Sequence, residues 1–363
     1  MKKQHFLLVL PLYVLAVLYL AVTTPISPHE AKLLYASHDI AATLIQWSSE
    51  HIPGFIGLRI IFIFFGFLSI WLFYELSRRH FEKSEDVYLA TVIFMLLPGI
   101  ITASTMANIG IIVLPLVLLF VLLYEKKQVL WLPFIMLALF FIHEASIIFF
   151  VALLFYGIME KDKKLAIAAS AFLFAFIYLM KGISIGGRPS GHFAEIFGLY
   201  ATLFSPLVFL YFFYTMYRIL LREKKSLVWY ISFTAFAFSL LLSIRQRIYL
   251  TDFAPYVLAA VVLMLDQFNL SLRVRLPQFQ KWYRRGFYAV MAFLFLSALI
   301  IIFHKTLYMI SSNPEKHFAK RIYQPYYLAK ELKAGNVNCY DTENRRERYQ
   351  LRYYGIRSCR IDR

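Results

Sequence analysis

Apolar runs of about twenty residues recur along most of this chain, and each matches the length an α-helix needs to cross hydrocarbon. The first lies near residues 6–24 and the last near 286–303, with short polar breaks between runs. Backbone N–H and C=O groups in lipid must be satisfied within the structure, which leaves helices or a closed barrel. These runs are too long and too uniformly apolar for barrel strands. The fold expected is all-α and polytopic: one membrane domain over residues 1–303, then a small appendage over 304–363.

Composition enters through charge. The chain is 60% hydrophobic yet carries a formal net charge of +17, which raises nucleic acid as a partner. The distribution excludes it, because the Lys and Arg fall in the short polar breaks instead of on one stripe. Read as topology, Arg78, Arg79, Lys126, Lys127, Arg222, Lys224 and Lys225 mark cytoplasmic breaks, as do Arg273, Arg275, Arg284 and Arg285. The outer loops are left with Lys32, Lys181, Arg188, Arg245 and Arg247. About eleven crossings then place the N-terminus in the cytoplasm and the appendage in the periplasm of a bacterial inner membrane.

The first run is read as a retained span, since no small-x-small cleavage signal precedes Pro25. Residues 25–52 form an outer loop with surface helices, and a second span covers about 54–76. The stretch 87–124 is too long for one crossing and divides at Pro98-Gly99 and the small or polar set through Gly110. Residues 128–159 are read as a hairpin turning at His143-Glu144, which keeps Lys161, Lys163 and Lys164 inside. Further spans are expected near 164–180, 198–219, 226–244, 249–266 and 286–303.

In the tail, HFAKRIYQPYYLAKELKAG reads as a helix with a Gly stop, and NVNCYD and YQLRYYG read as short strands, an α/β appendage. Cys339 and Cys359 are the only cysteines. They form a disulfide in an oxidising compartment, or they are two small buried residues in a reducing one. Two cysteines without a histidine pair are too few for zinc.

Several polar residues have two readings. Glu30, in SPHEAKLLY, is either a general base at the membrane surface or the first-turn acid of a helix opened by Ser27 or Pro28. His29 and Asp39 are weaker candidates beside it, and His38 faces water. Arg59 lies inside the second span, where an arginine either faces a polar cavity or snorkels to the headgroups. His143 and Glu144 line a cavity or simply form a polar turn. Arg188, in KGISIGGRPSGHF, and Arg245 with Arg247 are outer cations whose guanidinium forks match phosphate oxygens. GISIGG lacks the Lys-Ser/Thr ending of a phosphate loop.

The order of these features resembles the GT-C membrane glycosyltransferases, above all glycosyltransferase family 39 with its protein-mannosyltransferase and aminoarabinose-transferase relatives. SPHEAKLLY is similar to that family's acidic motif after span one, with Glu30 at the second acid and His29 where Asp is usual. LRIIFIFFGFLSIWLFYELSRRH resembles its second span, with Arg59 matching, and LLPGIITASTMANIGIIVLPLVLLF its next pair, with Asn108 where Asp is common. RQRIYLTDFAPYVLAAVVLM resembles a late span through Arg247, Tyr249 and Pro255. The likeness covers most of residues 1–266 at the level of pattern.

What the resemblance implies is an inverting transfer, at the outer face, from a polyprenyl-phosphate sugar donor to a lipid, glycan or protein acceptor. Glu30 would serve as base or orient the acceptor, and Arg59, Arg188, Arg245 and Arg247 would hold the donor phosphate. His29, Asn108, His143, Glu144 and Tyr249 would line the substrate site. A divalent metal belongs to the family pattern, but His29 and Asn108 remove two of its carboxylates, so the sequence does not support one. Three other classes stay open: a transporter or flippase of lipid-linked glycans, a polymerase or ligase acting on them, and a non-catalytic assembly protein. No internal repeat favours transport, and the longest outer loop between spans is the first, which suits the GT-C pattern better than a polymerase.

Overall fold

A computed structural model describes residues 1–179, 191–311 and 314–359. It is built from helices. In chain order these are α1 (Lys3–Thr23), α2 (Pro28–Ala36), α3 (Ile40–His51), α4 (Ile60–His80), α5 (Ser84–Leu96), α6 (Pro98–Thr105) and α7 (Ile109–Glu125). Then come α8 (Leu132–Ile142), α9 (Ile147–Met159), α10 (Lys163–Leu179), α11 (Phe193–Phe204), α12 (Pro206–Arg222) and α13 (Leu227–Arg245). The last are α14 (Ala254–Leu258), α15 (Val261–Val274), α16 (Pro277–Ile302), α17 (His304–Ile310), α18 (Lys320–Ala334) and α19 (Arg345–Tyr353).

Five stretches are helical, long and apolar enough to cross a membrane: α1, α4, α13, α14 with α15, and α16. Two bent pairs raise the number to as many as seven among the described residues. The coarse expectation of a multi-pass helical chain therefore stands, whereas a count of eleven does not follow from these lengths. The hairpin of 128–159 shows why. His143 is extended (φ −152°, ψ 129°) and separates α8 from α9. The two helices have only 11 and 13 residues, short of the roughly 20 that a crossing needs.

Proline explains both bends. At Leu97-Pro98 the axes of α5 and α6 diverge by 60°, as the missing proline N–H and the restricted preceding residue dictate. The run at 198–219 is not the single span expected. It breaks at Ser205-Pro206 with a bend of 107°, and Ser205 takes φ +80°, a region unfavourable for any residue with a Cβ.

The chain clusters into two compact units. The first comprises Met1–Leu10, Phe65–Ile101 and Ile109–Ala298. Its centre is α7, buried from Gly110 to Leu122 on nearly every side. Polar links tie its helices: Tyr200 Oη lies 2.8 Å from Ser239 Oγ, and Tyr256 Oη donates to Ser146 Oγ at 3.2 Å. Such interhelical bonds hold apolar helices in register where burial alone gives little preference.

The second unit comprises Pro11–Phe64, Thr102–Asn108 and Leu299–Arg363. The tail from Leu299 onward clusters with the segment 11–64. Its helix α18 forms as expected, but Gly335 is not the left-handed stop (φ −84°). Asn336 takes that role at φ +54°, and Val337 N–H bonds back to Leu332 O at 2.8 Å, the usual closure of a helix C-terminus. The expected strand YQLRYYG is instead the end of α19, capped by Asn344, whose side chain accepts from Arg346 N–H. NVNCYD makes one bridge, Cys339 with Arg357, and no strand forms among the described residues. Cys339 and Cys359 are joined as a disulfide, with Cα atoms 5.0 Å apart.

Candidate functional site

The most constrained polar cluster lies in the second unit and forms around Glu30. Ser27 caps α2 and Pro28 opens it, a position where proline's missing N–H costs nothing. Ser27 Oγ accepts from Glu30 N–H at 3.2 Å, and Glu30 Oε2 accepts from Ser27 N–H at 2.8 Å. This reciprocal capping box satisfies two donors at the helix start.

Arg59 completes the cluster. It ends the turn that immediately precedes α4, and its carbonyl accepts the N–H of Ile63 at 2.9 Å. Pro53 and the turn residues after it delay the helix, so the charged side chain leaves from the helix mouth. Gly57 is required there, because a Cβ would collide with the carbonyl oxygen of Ile52. Arg59 Nε donates to Glu30 Oε1 at 2.7 Å and Nη2 to Glu30 Oε2 at 2.9 Å. Nη1 donates to the carbonyls of Ala21 (3.0 Å) and Thr24 (2.8 Å), and Nη2 also to Pro25 (3.0 Å). The guanidinium thus engages all five of its N–H donors.

Glu30 is equally committed. Oε1 also accepts from Ala107 N–H at 3.2 Å, so its four acceptor sites all have partners. Both side chains are fully buried. Burial pushes the Glu30 carboxyl up, but the charge and forked bonds of Arg59 and the Ser27 bonds outweigh it, and the net direction is down. An ionised carboxylate saturated in this way has no lone pair left for an acceptor hydroxyl, and Arg59 has no N–H left for a phosphate.

The tail closes the cluster from above. Gln350 of α19 is buried and donates from Nε2 to Ile26 O at 2.8 Å and Arg321 O at 3.1 Å. Tyr354 Oη accepts from Ile26 N–H at 3.3 Å. The Arg352 guanidinium sits 4.5 Å from the centre of the Tyr35 ring, a cation–π contact onto α2. His29, next to Glu30, keeps an exposed face, and desolvation of the rest of its ring moves the imidazole below the ordinary range against the opposing pull of Glu30. Asp39 caps α3 by accepting from Ala42 N–H at 2.8 Å. Asn108 follows Ala107 in the turn before α7.

The other expected residues that the structure describes lie in the first unit. His143 Nε2 stands 3.3 Å from Asp252 Oδ1, yet it has no hydrogen-bond partner, so the contact is close in distance and poor in direction. Glu144 opens a short 3-10 turn and is exposed. Arg245 is the exposed last residue of α13. Arg247 is exposed and donates to Glu195 Oε1 at 3.0 Å, while Glu195 Oε2 lies 3.0 Å from His192 Nδ1. Tyr249 is exposed, and Arg188 lies outside the described residues.

Sequence reasoning set Glu30 and Arg59 at one substrate site but did not join them as an ion pair. It missed Gln350 and Tyr354, which lie in a segment read as strand, and Glu195, whose only local signal is its first-turn position in α11. Among the described residues no group of three or more His, Cys, Asp or Glu could hold a metal ion. Compared with protein-family models, curated proteins and solved structures, the chain matches none.

Proposed function

We propose that this chain is a multi-pass glycosyltransferase of the bacterial inner membrane. It moves a sugar from a polyprenyl-phosphate donor to a lipid, glycan or protein acceptor at the outer face. The observation that carries the reading is the convergence of three segments on one buried carboxylate. Glu30 accepts from Arg59 and from Ala107 N–H, the neighbour of Asn108. These are the three places where the sequence resembles the acid, the arginine and the turn of the GT-C pattern. About eleven crossings, with the N-terminus inside and the tail outside, belong to the same proposal, as does a periplasmic setting that keeps Cys339 and Cys359 oxidised.

The saturation of the Glu30–Arg59 pair changes the roles within that reading. Glu30 acts as a positioning residue that fixes α2, not as the base. His29 is the proton acceptor we assign, since it adjoins the fixed Glu30, is accessible, and offers an imidazole lone pair. Arg59 has no free donor, so it takes no part in holding the donor phosphate. A second reading, a non-catalytic assembly protein, draws on the same saturation.

Purified protein in lipid with radiolabelled polyprenyl-phosphate sugars separates the two. Transfer by the wild type, lost in His29→Ala with unchanged melting, is the expected result. A folded wild type that turns over no donor at any acceptor supports assembly and removes the transferase.

A further inference from the structure

Helix α16 is apolar along most of its 26 residues, yet only Leu294 and Ala298 are buried. Part of the reason is a cavity of about 260 Å³ in the first unit, lined by Trp282, Tyr283, Gly286, Phe287, Val290 and Met291 of α16. These recur at the spacing of one helix face, and nine steps at about 1.5 Å each spread that lining over roughly 13 Å of α16, so the cavity is followed as a channel along the helix. The facing wall comes from α5, α12 and α15, including Ile93, Tyr211 and Phe268, and the lining is almost entirely apolar. A Cβ built on Gly286 meets nothing within 4 Å.

One end of the channel is strongly basic. Arg285 Cζ lies 5.1 Å from the ring centre of Trp282, and Arg275 Cζ lies 4.2 Å from that of Tyr283. Both rings line the cavity, so both guanidinium groups are held beside it while their side chains stay exposed. Lys281 and Arg284 add charge on the same two turns, and α16 contains no Asp or Glu. Glu223 is already engaged by Arg218 at 3.4 Å and by Gln267. The combination is a narrow hydrocarbon channel with guanidinium donors at one mouth, and it complements one class of molecule.

We propose that this channel holds an acyl chain of an anionic phospholipid, with the lipid phosphate bound by Arg275 and Arg285. Apolar length fills the gap along α16, and the forked donors take the phosphate oxygens. The assignment does not depend on the transferase reading.

The test is lipid retention by the full chain. Wild type, Gly286→Leu, Gly286→Ala and Arg275→Gln/Arg285→Gln are reconstituted in discs of equimolar phosphatidylglycerol and phosphatidylcholine. They are then extracted in mild detergent and weighed intact by mass spectrometry, with melting checked for each. Wild type is expected to keep one phosphatidylglycerol per chain. Gly286→Leu should lose it, and Gly286→Ala, which opens no clash, should weaken it. The double arginine variant should still keep a lipid, with its anionic preference reduced by about fivefold for each cation removed. Equal retention of the two lipids by wild type overturns the proposal, as does undiminished phosphatidylglycerol in a folded Gly286→Leu. A lipid-free wild-type dimer that Gly286→Leu dissociates also overturns it, and assigns the face to a second copy.

Discussion

Arg59 and Glu30 form a two-bond fork at 2.7 and 2.9 Å with neither side chain exposed to solvent. Around it the carbonyls of residues 21, 24 and 25 and the N–H groups of residues 27 and 107 take up every remaining donor and acceptor. A pair closed in this way holds chain segments together; it does not wait for a substrate.

Removing one partner should therefore cost far more than removing both. Arg59→Met leaves a buried carboxylate uncompensated, and we expect a loss of about 3–5 kcal/mol in unfolding free energy. Arg59→Lys should recover little, because a point charge cannot reproduce five directed donors. Arg59→Met/Glu30→Leu should regain much of the loss. Thermal melts of the four proteins check this, and equal melting for Arg59→Met and wild type would show the fork to be idle.

Acid should weaken the second unit in two steps. His29 is held below its ordinary 6.5, so the unfolded chain binds the extra proton first, and stability falls as pH drops through 6.5. Glu30 is held below its ordinary 4.5, so its contribution is complete above that value and is lost as pH falls further, through the folded-state titration. Melting temperature followed from pH 8 to about pH 3 should show both steps. His29→Gln should erase the upper one alone.

Gly57→Ala should displace the turn that delivers Arg59, since the added methyl meets the Ile52 carbonyl. The expected loss exceeds about 1 kcal/mol, larger than the ordinary gain from removing a glycine. Gly198→Ala, on α11 with nothing within 4 Å of its Cβ, is the matched control and should be neutral or better. A melt of each decides it.

Gln350→Ala should leave the carbonyls of Ile26 and Arg321 without their donor, at about 1–3 kcal/mol. Tyr354→Phe should release Ile26 N–H in the same way. Both variants should make residues 25–36 newly sensitive to limited proteolysis, and unchanged cleavage kinetics would count against the docking of the tail.

Much of this was readable from residue order. The apolar runs give α1, α4, α13 and α16 their places, because length and composition alone specify them. Ser27-Pro28-x-Glu30 spells its own capping box. Other features depend on distant partners. Nothing near Glu30 announces Arg59, which lies 29 residues away, and a window centred on the apolar run draws the helix start past it. Ser205 reads as an ordinary polar residue in a long hydrophobic stretch; only the proline after it hints at a turn of 107°. YQLRYYG alternates like a strand, yet Asn344 caps it as a helix, and its Gln and Tyr find their acceptors and donor at Ile26. Alternation cannot distinguish a strand face from a helix docked on one side.

The bonds to Ile26 come from residues 324 and 328 positions later in the chain. At synthesis speeds of about 5–20 residues per second, about 15 seconds to a minute separates the emergence of the two. During that interval the nascent loop carries a bare amide and a bare carbonyl at residue 26, so it can only settle once translation is nearly finished. A ribosome stalled anywhere between α4 and α18 therefore strands a protein whose loop at residue 26 is still unsealed.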